Sequence, residues 1–193
     1  MITREEIQKL LDKYITTEWL KLHMRESEII MRALANHFKE DENLWGLSGL
    51  LHDLDYDYVG KDPQRHVIEF DDILKKENLN IGTDIPNEMY HAIKAHYEEH
   101  PQIIEKRESK LDFALSAAEN LSGFLVACTL VTPEKKIKDV KVESVIKKLK
   151  KKDFAKAVRR DLIYDIEKIG ISLEEFINIS LKAMNQHSEE LGL

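Results

Sequence analysis

The sequence predicts an all-α protein: a helical bundle with a C-terminal helical extension. Three observations predict it. The 193 residues include only 7 Gly and 4 Pro, too few for many short strands joined by turns. Inward-type residues recur at spacings of three and four. Ser, Thr and Asp stand in cap positions before those stretches, several with an acidic residue three places on.

Taken in order, Thr3 with Glu6 makes a capping box that opens a first helix. Over residues 19–38, His23, Ser27, Ile30, Leu34 and Phe38 share one face of a long second helix. Asp41 caps a third, whose stripe is Leu44, Leu47, Leu51 and Leu54 and which ends in the acidic turn Asp55-Tyr56-Asp57. Asp62-Pro63, a cap residue and then proline at the first helical position, predicts a fourth helix reaching about Lys76, with His66 near its first turn. Pro86 opens a fifth, with Met89, Ile93 and His96 on one face. Ser109 and Asp112 predict a sixth that ends at Gly123, followed by a short apolar helix. Thr132-Pro133 separates a core, residues 1–132, from an extension, residues 133–193. The extension is expected to pack on the core as part of one domain, because roughly 60 residues bury too little surface alone. In it, Ser172 and Glu175 form a capping box, and Ile171 with Phe176 a hydrophobic staple.

Composition excludes several classes. Apolar residues are 42% and charged residues 34%, which fits neither a disordered chain nor a membrane protein. The longest apolar run, residues 124–131, falls short of the ~20 residues of a spanning helix. The start Met-Ile-Thr-Arg-Glu-Glu places charge where a signal peptide carries its apolar core. The single cysteine, Cys128, allows no internal disulfide and no cysteine-based zinc site. A cytoplasmic location is the expectation. The net charge is −7, yet residues 134–160 hold 12 Lys or Arg against 4 Asp or Glu. That segment reads as a solvated helix face, since it lacks the series of aromatics of a base-stacking platform.

The histidines carry the functional signal. His52-Asp53 is an imidazole beside a carboxylate at the end of an apolar helix, with small residues Gly46, Ser48 and Gly49 behind it to let another helix approach. His23 and His96 stand in line with core residues of their own helices. Glu119 lies among small and apolar residues, where an unpaired carboxylate is costly and calls for a cation or proton partner. A single histidine on an apolar face is more often a hydrogen-bonded core residue than a metal ligand. The case rests on several such residues, each at an inward position of a different helix. His37 and His187 read as surface residues, and His91 faces away from His96. His100 is expected at the surface, with substrate contact as the alternative. Asp55 and Asp57 read as turn or cap residues, or as a proton donor or outer partner of the site. Arg65 and Lys94 are candidate phosphate contacts that point away from the histidines beside them.

This pattern, with Leu50-Leu51-His52-Asp53, Arg65-His66, Ala92-Ile93-Lys94-Ala95-His96 and residues 117–121, resembles the HD-domain superfamily of metal-dependent phosphohydrolases over about residues 20–130. The tail, with Lys141-Val142-Glu143-Ser144-Val145, is similar to that of a smaller subgroup of predicted HD hydrolases. The resemblance implies an HD-type helical core. It implies His23, His52, Asp53 and Glu119 on one divalent metal, and His66 and His96 on a second, with Asp53 bridging. It places His52 and Asp53 at the catalytic centre, where a metal-activated water attacks a phosphoester. The metal is one or two ions of Fe, Mn, Co, Ni or Zn, among which a mixed imidazole and carboxylate set does not choose. Glu119 stands where the family usually has Asp, with Asp112 as a fallback. Val67 follows His66 where relatives often have glycine, and Leu54-Asp55 replaces the Ile-Gly of one subset.

The expected substrate is a nucleotide or related phosphomonoester, with dinucleoside polyphosphates second. The alternative is a non-catalytic HD module that holds a metal or nucleotide for signalling, motivated by Glu119. A nucleic-acid-binding role for residues 134–160 is opposed by the overall charge of −7. No membrane partner is expected. Trp19, Trp45 and the tail are each candidates for a homodimer surface or for core.

Overall fold

The computed structural model describes residues 1–193 and is all-helical, with no β-sheet. Ten helices follow in order: α1 (Arg4–Tyr14), α2 (Glu18–Phe38), α3 (Glu42–Leu51), α4 (Phe70–Lys76), α5 (Asn87–Ala95), α6 (Lys110–Leu130), α7 (Val142–Leu149), α8 (Arg160–Tyr164), α9 (Leu173–Gln186) and α10 (Ser188–Leu191). The start signals act as expected at several of them. Thr3 and Glu6 close a reciprocal capping box on α1, and Ser109 with Asp112 does the same on α6. The Asp41 carboxylate accepts from the Asn43 and Leu44 amides of α3. The Ser172 hydroxyl accepts from the Glu175 amide of α9, without the return bond of a full box.

The two long helices, α2 and α6, form the centre. α2 packs on α3, α6 and α9, while α6 also meets α5 and α8. One apolar core joins them. Residues beyond Pro133 belong to it: Ile137, Val145, Leu149, Ile163, Ile166 and Phe176 are buried in the same cluster as Met24, Leu34, Leu115 and Leu121. Exposed lysines such as Lys147, Lys150 and Lys151 form the outer face of the basic segment. Its one aromatic, Phe154, packs edge-on against Phe124. Trp45 is buried and Trp19 is exposed.

Two expectations are corrected. The sixth helix does not end at Gly123. α6 runs unbroken through it, because apolar residues on both sides are buried and tertiary packing outweighs the weak helix preference of one glycine. This helix is long and apolar enough to cross a membrane by length and composition, but 67% of its apolar window is buried inside the protein. The fourth helix does not begin at Pro63. Residues 62–69 form successive turns, Val67 adopts a left-handed backbone at φ 67°, and the helix starts only at Phe70. The cap signal is real, since the Asp62 carboxylate accepts from the Gln64 amide, but the chain then breaks off to deliver His66 inward.

Candidate metal centre

Gly49 lets α3 lie directly on the backbone of α2. A Cβ there would stand 2.8 Å from the Ser27 carbonyl. This close approach sets His52, at the end of α3, beside His23 of α2, with ring centroids 5.2 Å apart. His96 caps the end of α5, its ring 5.3 Å from that of His52. His66 arrives from the turns before α4, 5.5 Å from the His96 ring. Asp53 lies between them. Its Oδ1 is 3.3 Å from His66 Nε2, 3.5 Å from His52 Nε2 and 3.6 Å from His96 Nε2, and its Oδ2 is 3.8 Å from His23 Nε2. His23, His52 and Asp53 form one close group of ligand-type atoms, and Asp53, His66 and His96 a second. Asp53 is common to both.

The opposite nitrogen of every ring is taken. His52 Nδ1 donates to the Gly49 carbonyl at 2.8 Å and His96 Nδ1 to the Ile93 carbonyl at 2.6 Å. Both carbonyls lie in a last helical turn, where oxygens lack an intrahelical donor. His66 Nδ1 is 2.9 Å from the buried Asp55 carboxylate. His23 Nδ1 is 3.1 Å from the Ser122 hydroxyl, which itself donates to the Glu119 carbonyl at 2.8 Å and so accepts from His23. All four rings therefore carry a proton on Nδ1 and turn an Nε2 toward one carboxylate. Lone pairs facing an anion require a cation or a proton between them.

The electrostatics agree. Burial would raise the Asp53 carboxyl, but His52, His66 and His96 around it hold it well below the usual carboxylate range. Burial, aided by the neighbouring His23 and His96, pushes His52 down to about 3 against the pull of Asp53. Burial also lowers His23, again against Asp53. Burial opposes charge on His66 too, yet Asp53 and Asp55 on its two sides raise it to about 10. Without a metal, His66 thus supplies the positive charge that the cluster needs. The all-nitrogen-and-oxygen donor set, with each imidazole oriented from behind, fits a divalent transition metal.

Glu119 stands outside both close groups. It faces the same cleft as His23 and Asp53, and its carboxylate accepts from the Asn120 side chain. Burial, then the charge of Asp53, raises its carboxyl well above the ordinary value. The fallback Asp112 is used elsewhere: it caps α6 and pairs with His91 at 3.2 Å. Asp57 anchors the start of α2 by accepting from the Thr16 and Thr17 amides. Arg65 pairs with Glu69. The Lys94 ammonium is buried, donating to the Val67 carbonyl at 2.9 Å and to Asp71. His100 is not at the surface. It is buried, its Nδ1 accepts from the Gln102 amide, and its Nε2 has no partner.

Three neighbours were not singled out as site residues in the sequence. Ser122, three places after Glu119, carries no pattern of its own. Tyr56 places its ring 5.1 Å from that of His66. Glu26 follows His23 by three, a spacing that shares a helix face and was legible as such.

The all-helical fold gathers an imidazole and carboxylate centre of the kind that could hold a divalent metal. The HD-domain family model matches residues 22–123, over half of the sequence, and the chain belongs to that family. HD-domain proteins are a superfamily of metal-dependent hydrolases that bind divalent cations. No curated protein and no solved structure matches the chain.

Proposed function

We propose that the protein is a phosphohydrolase acting on nucleotides or related phosphoesters. One observation carries the reading: four imidazole Nε2 atoms face the Asp53 carboxylate while every Nδ1 is already bonded. In this reading His23, His52, Asp53 and Glu119 would hold one metal, and His66, His96 and Asp53 a second. A bound divalent cation supplies neutralisation of phosphoryl charge and lowers the pKa of water toward neutrality. Asp53 holds the two groups together. Asp55 fixes the ring of His66 and keeps its Nδ1 proton, as Ser122 does for His23. The cleft beside them receives the organic part of the ester.

The test is metal content per chain on protein purified without chelator or affinity-tag metal, followed by a phosphoester screen with the metal found. Bound transition metal and turnover, both lost in His52→Ala and Asp53→Ala variants that keep the wild-type helical content, are the expected results. Protein that neither carries nor takes up metal, or wild-type turnover in either variant, overturns the reading. The position of Glu119 outside both groups favours a second reading, a module that retains a nucleotide without turnover. Tight nucleotide binding with no hydrolysis in any metal would select it.

A further inference from the structure

Above the metal centre lies a cavity of 490 Å³, within the ~300–1,000 Å³ of small-molecule sites. His23, Asp53 and Glu119 line it together with Trp19, Leu22 and Tyr56. Trp19 is 56% exposed and meets the edge of Tyr56, with ring centroids 6.4 Å apart. No lysine or arginine lines the cavity. The cations near its rim are already paired: Lys61 with Asp57 at 3.6 Å, Arg107 with Glu98 and Glu99, and Arg159 with Asp161 and Glu99. Beyond the metal site, a polyphosphate entering here would shed water from its outer charges and meet only side-chain cations that already have partners.

One polar side chain in the wall is unexplained. Glu26 is only 5% exposed and has neither a hydrogen-bond nor a charged partner, yet it opens onto the cavity one turn beyond His23. Burying a carboxyl without a protein partner is costly, and the side of Glu26 that is left open faces the cavity, where a bound group can pair with it. Burial pushes this carboxyl up to about 8, and a carboxyl accepts a hydrogen bond in either form and donates one when protonated.

We propose that Glu26 is a specificity-determining residue: its carboxyl hydrogen-bonds an uncharged hydroxyl or amide of a nucleoside-like group seated against Trp19, so the cleft takes nucleoside monophosphates and rejects di- and triphosphates. The inference rests on the phosphohydrolase reading and narrows it, setting aside the dinucleoside polyphosphates. Adenosine, AMP, ATP and phenyl phosphate are the probes.

Binding is read without metal, by titrating adenosine into a Trp45→Phe variant in which Trp19 is the sole indole. Adenosine changes the Trp19 emission, Glu26→Leu weakens that binding about tenfold, and Glu26→Gln, which keeps a donor and an acceptor, retains it. With metal, AMP is turned over in strong preference to ATP, and Glu26→Leu lowers the selectivity for AMP over phenyl phosphate about tenfold. No response to adenosine, equal binding by Glu26→Leu, equal loss on AMP and phenyl phosphate, or ATP turned over as well as AMP overturns the proposal. Adenosine binding that depends on Glu26, with no ester hydrolysed in any metal, supports the recognition role and overturns the hydrolase reading instead.

Discussion

The Ser122 hydroxyl on α6 lies 3.1 Å from His23 Nδ1 on α2, joining residues 99 positions apart across the centre of the bundle. Because that hydroxyl spends its own proton on the Glu119 carbonyl, it presents an acceptor to the ring and fixes the histidine tautomer. Ser122→Ala removes this support while leaving every proposed ligand in place. Loss of such an outer partner typically weakens metal binding about 10- to 100-fold. The prediction is a drop of that size in metal affinity by titration calorimetry with little change in circular dichroism. Unaltered affinity would show that the contact does not orient the ring.

Glu26 gives a pH prediction. Its carboxyl has an ordinary value of 4.5 and is raised by burial to about 8 in the folded protein. Between those values the unfolded chain has released a proton that the folded one retains, so this residue makes stability fall as pH rises from 4.5 toward 8. Below 4.5 both states hold the proton and the effect vanishes. Glu26→Gln therefore gains stability over wild type as pH rises through this window. Roughly 5 kcal/mol is an upper bound on the gain. Denaturant melts of the two proteins at pH 5 and pH 8.5 check it, and a pH-independent difference contradicts it.

Gly49 tests the origin of the site geometry. A methyl group there would overlap the Ser27 carbonyl and the Glu28 amide of α2, which are backbone atoms that cannot swing aside. Gly49→Ala must push α3 off α2 and carry His52 with it. The expected cost is about 1–3 kcal/mol, as for other overpacked cores. Metal content should fall further than in an equally destabilised variant far from α3, and comparing the two by chemical melts and metal analysis separates strain from site displacement.

Gly123 is the opposite case. A Cβ there meets nothing within 4 Å, and the residue lies inside the continuous α6. Gly123→Ala should raise stability by about 1 kcal/mol, through helix preference alone. The Tm should rise accordingly. A fall would mean that α6 is interrupted at this point.

Much of the site was legible because its signals are local. His52-Asp53 follows an apolar stripe, His23 and His96 lie in register with core residues of their helices, and the Thr3, Asp41 and Ser109 caps act within three or four residues of themselves. His66 shows where local reading stops. Asp62-Pro63 announced a helix, and the chain instead makes turns with a left-handed Val67, whose carbonyl is held by the buried ammonium of Lys94 from α5. That partner is 27 residues away and no cap pattern encodes it.

The sequence by itself determined which imidazole and carboxylate residues are candidates for a metal site, on which helices most of them ride, and which family the chain resembles, since residue chemistry, periodicity and caps are properties of short segments. Only the tertiary structure decided that α6 passes unbroken through Gly123, that Ser122 and Asp55 orient His23 and His66, that Glu119 stands apart from the tight groups, and that Glu26 is enclosed in a cleft without free cations. Each of these depends on what a distant helix places against the residue. Burial and hydrogen-bond partnership are set by that packing rather than by neighbours in the chain.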